Sequence, residues 1–273
     1  MNNIIAIANQ KGGVGKTTTT FSLGVALAKK GKKVLLVDTD PQGDLTTSLG
    51  YHNQDNMEDT IGSLMNQTIN DEELKIDKTI LHHKEGVDLI PANSDLSGIE
   101  YSLFSAMSRE YILRNTLYEL KNKYDYILID CMPSLGLLTI NALACSDRIV
   151  IPAQGEFLSA KAMGNFLKTV SKVKKQINPN LKVDGILLTL IDKRTNLSKK
   201  VEQAIIDNYG QVVNTYNTQI PRAVNAARAT AEGKSIFEYD KNSVVAKAYE
   251  NLAKEVVNNE RERYYLFNRK NIK

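Results

Sequence analysis

The stretch Ile4-Ile5-Ala6-Ile7-Ala8-Asn9-Gln10-Lys11-Gly12-Gly13-Val14-Gly15-Lys16-Thr17-Thr18 decides the fold. Five apolar residues without alternation suit a strand buried on both faces, as a parallel sheet covered by helices requires. The three glycines that follow let backbone N–H groups turn inward on anionic oxygens, and the helix opening near Thr17 adds its positive end. In this strand–loop–helix setting Lys11, Gly12, Gly13, Val14, Gly15, Lys16, Thr17 and Thr18 read as a phosphate cradle, with ATP and Mg2+ as the expected ligands. Lys16 would reach the β- and γ-phosphates, and the Thr17 hydroxyl would take a magnesium position. A general phosphate loop carries glycine five positions before Gly15; here that residue is Gln10, followed by a second lysine. Lys11 reads either as a solvated loop charge or as a second cation that stabilises the γ-phosphate during phosphoryl transfer.

Outward from this loop, short β-branched runs alternate with helical patterns. Val34-Leu35-Leu36-Val37, Tyr126-Ile127-Leu128-Ile129, Ile149-Val150-Ile151 and Gly185-Ile186-Leu187-Leu188 read as further core strands. Segments 17–30, 97–121, 159–176, 197–208 and 243–259 read as helices. The alternation predicts an α/β fold: a doubly wound, mostly parallel sheet with helices on both faces. Residues 51–85 are polar and weakly patterned, and are expected to form short surface helices and loops. Residues 1–259 fit one domain, and 260–273 form a charged extension after the last helix.

The 273 residues, 42% hydrophobic and 24% charged, suffice for such a core. A net charge of +4 permits nucleic-acid binding without arguing for it, because the clustering of charge matters more than its sum. The 2 cysteines, Cys131 and Cys145, have no CxxC spacing, which suggests neither a disulfide framework nor a zinc site and favours a reducing, cytoplasmic compartment. Ile4-Ile5-Ala6-Ile7-Ala8 is too short for a signal-peptide core, and no stretch approaches the roughly 20 apolar residues of a transmembrane segment.

Two carboxylate clusters complete the expected site. In Asp38-Thr39-Asp40-Pro41-Gln42-Gly43-Asp44, acids follow a strand, where open α/β sheets bind ligands. Asp40 would orient or deprotonate an attacking water, and Asp38 and Asp44 would stand near the metal shell; the alternative is that Asp38 and Asp40 cap a turn. Asp130 ends an apolar strand in the Walker-B manner and would hold magnesium directly or through water. The turn Cys131-Met132-Pro133-Ser134 would touch the γ-phosphate end and signal nucleotide state, with Cys131 a passive buried neighbour.

Together, Lys11-Gly-Gly-Val-Gly-Lys-Thr-Thr, Val37-Asp-Thr-Asp-Pro-Gln-Gly, Ile129-Asp-Cys-Met-Pro-Ser-Leu-Gly, Leu137-Leu-Thr-Ile-Asn-Ala-Leu, Leu188-Thr-Leu-Ile-Asp-Lys-Arg-Thr-Asn and Ile220-Pro-Arg resemble the ParA/Soj class of deviant Walker-A ATPases. The likeness runs from residue 2 to about 257. It implies an ATP-sandwich homodimer that binds DNA non-specifically, and slow hydrolysis stimulated by a ParB/Spo0J-type centromere-binding protein. By the same likeness Lys11 is the signature lysine that crosses the dimer to the partner's ATP. Asp40 is needed for hydrolysis, Asp130 is the Walker-B acid, Pro221 passes the adenine, and Arg194 contacts DNA. A cytoplasmic, nucleoid-associated location follows.

The chain departs from the family's pattern at Asp44, where Asn is usual, at Met132, where Pro is usual, and at Ala223, Asn225 and Arg228. The DNA surface is therefore expected to be rearranged, with Arg222 and Arg228 as substitutes and Lys199 beside Arg194. Lys172, Lys174 and Lys175 read as a solvated helix face or a second phosphate contact. A membrane-cycling ATPase of the MinD kind is the main alternative, but the tail Tyr264-Tyr265-Leu266-Phe267-Asn268-Arg269-Lys270 has one short apolar patch among charges. An iron–sulfur reductase would need bridging cysteine pairs that this chain does not supply.

Overall fold

The computed structural model describes residues 3–154, 160–192, 207, 209 and 213–270. The first half runs β1 (Asn3–Ile7), α1 (Lys16–Ala28), β2 (Val34–Thr39), α2 (Asp44–Ser48), α3 (Ile61–Ile69), α4 (Ile76–Thr79), β3 (Leu81–His82), β4 (Val87–Ile90), α5 (Leu96–Ser105) and α6 (Ile112–Thr116). The second half runs β5 (Tyr126–Cys131), α7 (Leu137–Cys145), β6 (Arg148–Gln154), α8 (Ala160–Gln176), β7 (Lys182–Thr189), α9 (Val224–Ala231), α10 (Ile236–Tyr239) and α11 (Val244–Lys270).

The strands form one seven-stranded sheet in the order β3-β4-β2-β5-β1-β6-β7, parallel throughout except where β3 meets β4. This is the expected doubly wound architecture. Strand residues alternate between two cores. Ile4, Ala6, Leu35, Val37, Ile127 and Ile129 face helices α3 and α5–α8, contacting among others Leu64, Leu103, Leu113, Leu143 and Phe166. Ile5, Ile7, Leu36 and Leu128 face α1, α10 and α11, with Phe21, Leu27, Phe237, Tyr249 and Leu252. Burial on both faces is why these strands read as unbroken apolar runs. No helix among the described residues is long and apolar enough to cross a membrane.

The structure changes several boundaries. The 97–121 stretch is not one helix: α5 ends at Ser105, Ser108 takes a left-handed φ of 50°, and α6 restarts at Ile112. Within the polar 51–85 region and just beyond it, α3 buries Ile61, Leu64 and Met65, and β3 and β4 extend the sheet. The last helix does not stop at 259. It continues to Lys270, with neither Pro nor Gly in 260–270 to break it. The 197–208 helix lies outside the described residues but for Asp207.

Candidate nucleotide site

The glycine loop is pinned at both ends. Asn9 leaves β1, donates from Nδ2 to the Pro152 carbonyl at 2.6 Å and accepts the Lys11 N–H at 3.1 Å. At the far end Thr189, closing β7, donates its hydroxyl to the Val14 carbonyl at 2.7 Å. Between the pins Gly13 and Gly15 take φ of 71° and 81°, left-handed values that turn amides away from the sheet, and a Cβ on Gly13 would meet only open space. The loop thus presents backbone donors and the start of α1 to open solvent. Lys16 is 7% exposed and bonds from Nζ to the Lys11 carbonyl at 3.2 Å, folding its ammonium into the loop.

Parallel pairing places Asp130 beside this loop. Its register partners are Ile7 on β1 and Asp38 on β2. Its carboxylate accepts the Thr17 hydroxyl at 2.6 Å on one oxygen and the Thr20 hydroxyl at 3.1 Å on the other, both from the first turns of α1. Burial pushes the Asp130 carboxyl up to about 8, the Asp38 charge adds to this, and Thr17, Lys16 and Thr20 oppose it. The loop after Asp130 reaches the phosphate loop, with Pro133 in contact range of a Cβ placed on Gly12.

Asp38 does different work. Its Oδ2 accepts the Thr46 N–H and hydroxyl at 2.9 and 2.8 Å, and its Oδ1 accepts the Asp40 N–H at 3.1 Å. Burial lifts its carboxyl to about 6 against these bonds. With both oxygens engaged by the 38–46 turn, Asp38 is a turn-former, and Asp44 is exposed on the first turn of α2. Asp38 is the register partner of Asp130 on the neighbouring strand, but its hydrogen bonds go to the turn rather than to Thr17 or Thr20. Asp40 is half-buried, accepts the Gln42 N–H at 3.0 Å, and is held above the ordinary carboxylate range by burial, with Asp44 adding and Lys16 opposing.

Among the described residues no three His, Cys, Asp or Glu side chains gather as a metal cage. A hard divalent cation fits the Thr17–Asp130 pair only when phosphate and water oxygens complete its shell, as magnesium prefers.

In the folded chain Asp38 and Asp130 hold protons well above the ordinary carboxylate range. The folded state therefore binds more protons than the unfolded one, and its stability falls as pH rises through that window. Thermal melting of the ligand-free protein in EDTA should accordingly drop from about pH 4, where the unfolded carboxyls ionise, to about pH 8, and Asp130→Asn should flatten the upper part of the drop. A melting temperature of the wild type that rises over this range would contradict the assignment.

Pro221 lies on a segment that runs along β7 and bridges to Ile191, with Arg222 N–H donating to the Ile191 carbonyl at 3.0 Å. A cavity of about 950 Å³ opens between this segment and α11, lined in part by Ile191, Pro221, Val244, Ala248 and Asn251. Arg222 and Arg228 are exposed, as are Lys172, Lys174 and Lys175 on α8; Arg194 and Lys199 lie outside the described residues. Both cysteines are free and fully buried, with burial raising each thiol, Cys145 to about 12. Asn9, Thr20, Thr46 and Thr189 were not visible as site residues in sequence, because small polar residues acquire partners only through strand register.

The family described as an AAA domain matches residues 2–183. The chain is 46% identical over 259 residues to the sporulation initiation inhibitor protein Soj of Bacillus subtilis, covering 95% of this chain and all of that one. It is 39% identical to the chromosome partitioning protein ParA of Caulobacter vibrioides, over 95% of this chain and 96% of the relative. The chain belongs to the ParA/Soj family. A crystal structure titled cobyrinic acid a,c-diamide synthase from Mycobacterium smegmatis, with bound ADP and magnesium, superposes with a TM-score of 0.81 at 37% identity over 94% of each chain. Three of the departures from the ParA/Soj pattern have local settings: Ala223 stands at the N-cap position of α9 without a side-chain cap, Asn225 donates to Asp240 at 3.1 Å, and Met132 is half-buried against the core.

Proposed function

We propose that this chain is an ATP-dependent DNA-partitioning ATPase, in which Mg-ATP closes two copies into a dimer that holds DNA non-specifically until hydrolysis resets it. The observation that carries the reading is the Thr17–Asp130 hydrogen bond beside the open glycine loop. ATP supplies the transferable phosphoryl group and, with Mg2+, is the ligand this loop takes. The loop amides and the ammonium of Lys16, released from the Lys11 carbonyl, hold its phosphates. The Thr17 hydroxyl oxygen, and Asp130 directly or through water, would hold the cation, which would neutralise charge on the phosphates. Asp40 orients the attacking water. Lys11 reaches the γ-phosphate of the second copy, which makes dimerisation part of assembling the site. Pro221 and the adjoining cavity border the base. Arg222, Arg228, Arg194 and Lys199 supply phosphate contacts to DNA, and a ParB-type partner stimulates hydrolysis. Residues 1–259 act as the ATPase domain, with 260–273 as a charged appendage.

The test is a DNA-binding assay in ATP, ADP and no nucleotide, on wild type and Asp40→Ala. The variant should bind ATP and DNA as wild type does while kcat falls by about 10²-fold, the size expected when a positioned proton acceptor is removed. Loss of ATP binding in the variant would show that Asp40 has another role. DNA affinity equal in ATP and ADP would sink the switch. ATP turnover that requires an added organic acid and an amide donor would favour a synthase instead. Recovery of the protein on anionic liposomes in ATP, lost on deleting 260–273, would favour a membrane-cycling ATPase.

A further inference from the structure

Leu137 is the first residue of α7, so its N–H has no carbonyl one turn behind it to bond, and the N-cap residue Gly136 offers no side chain. The N–H is satisfied from another element: it donates to Glu100 Oε1 on α5 at 3.0 Å. A carboxylate at the positive end of a helix makes this a charge-assisted bond. Gly136 is what lets the carboxylate in, since a Cβ there would stand 2.2 Å from Oε1. The Gly136 N–H donates to the Ser134 hydroxyl at 3.2 Å, and Thr139 donates to the Ser134 carbonyl at 2.8 Å, so the loop between Asp130 and α7 is folded on itself behind the cap. The same loop brings Pro133 against the phosphate loop at Gly12. Glu100 and Gly136, far apart in sequence, are thus fitted to each other at the far end of the segment that leaves Asp130.

We propose that Glu100 is a positioning residue for hydrolysis: by capping α7 it fixes where the 132–136 loop stands against the phosphate loop, and so governs turnover rather than nucleotide affinity. This role rests on the ATPase reading above. The γ-phosphate side of the loop feels the displacement, whereas ADP, which lacks that phosphate, does not.

The experiment compares wild type with Glu100→Ala, Glu100→Gln, Gly136→Ala and the Glu100→Ala/Gly136→Ala double variant. It reads kcat and KM for ATP, Kd for ADP, and amide hydrogen exchange of Leu137 in the nucleotide-free protein. Glu100→Ala should lower kcat about tenfold with ADP affinity within about twofold of wild type. Glu100→Gln keeps an acceptor oxygen and should retain roughly a third of wild-type kcat. Gly136→Ala should match Glu100→Ala, and the double variant should be no slower than the slower single, as expected for two halves of one contact. Leu137 exchange should quicken in Glu100→Ala and Gly136→Ala. Unchanged exchange in Glu100→Ala would mean the cap does not form in solution. Quickened exchange with unchanged kcat, or an equal loss of ADP affinity, would reduce Glu100 to a structural helix cap. No ATP turnover by the wild-type chain, alone or with DNA and partner, would remove the ATPase reading and this role with it, whereas the preceding outcomes remove this role alone.

Discussion

Lys16→Ala is expected to raise the Kd for Mg-ADP at least about a hundredfold and, on the function proposed above, to abolish nucleotide-dependent DNA binding. Lys16 is almost fully buried, on the first turn of α1, and among the described residues its ammonium donates one hydrogen bond, to the Lys11 carbonyl at 3.2 Å. In the empty protein its loss therefore removes little that holds the fold. A bound diphosphate converts that single neutral-acceptor bond into charge-assisted ones, each contributing about 1.5–3 kcal/mol. Losing about 3 kcal/mol of binding is a hundredfold in Kd. Fluorescent-nucleotide titration measures this, with thermal melting of the apo variant as the control. Wild-type ADP affinity in a folded Lys16→Ala protein would place the nucleotide elsewhere.

Asp184→Ala costs about 3–5 kcal/mol of stability, the usual consequence of removing one member of a buried ion pair. Asp184 on β7 has a side chain fully out of solvent; it accepts from Arg148 Nη1 at 3.3 Å and from the Tyr216 hydroxyl at 2.6 Å. Arg148 also donates to the Val256 carbonyl at 3.2 Å, joining β6 to α11, while its Nε and Nη2 find no hydrogen-bond partner among the described residues. Removing the carboxylate leaves a buried cation with still fewer acceptors. For a chain of this size the melting temperature should fall by about 10 °C. Replacing Arg148 and Asp184 together by Met and Leu should recover much of the loss, because the cost lies in the stranded charge more than in the missing pair. A shift under about 2 °C for the single variant, less than 1 kcal/mol, would show that Asp184 is not the counter-charge.

The central strands were legible because burial on both faces leaves no room for polar alternation, as Ile4 through Ile7 and Tyr126 through Ile129 illustrate. β4 was not: four residues long and carrying Asp88 at its centre, it looks polar, and that acid is tolerated because His82 and Tyr124 bond its two oxygens at 2.6 and 2.7 Å. The break after α5 was hidden because Ala106-Met107-Ser108 contains neither Pro nor Gly while the apolar spacing runs on into α6. At the site, Lys16, Thr17 and Asp130 could be named because phosphate chemistry fixes their residue types within a local motif. Thr189 pins the glycine loop and Glu100 caps the helix after the Asp130 loop from distant segments, contacts that arise only from which strand ends and helices the topology brings together.

The strand order carries a consequence for how the molecule is made. β1 has both hydrogen-bonding edges filled by residues far downstream, β5 on one side and β6 on the other. A nascent chain that has already exposed the glycine loop therefore has no partner for the strand that supports it until residues 126–131 and 148–154 emerge. Closing such long loops comes late and raises the contact order, which slows folding. The first functional residues to leave the ribosome are thus among the last to acquire their working shape, and recovery of nucleotide binding after denaturation reports assembly of the whole sheet rather than of its N-terminal third.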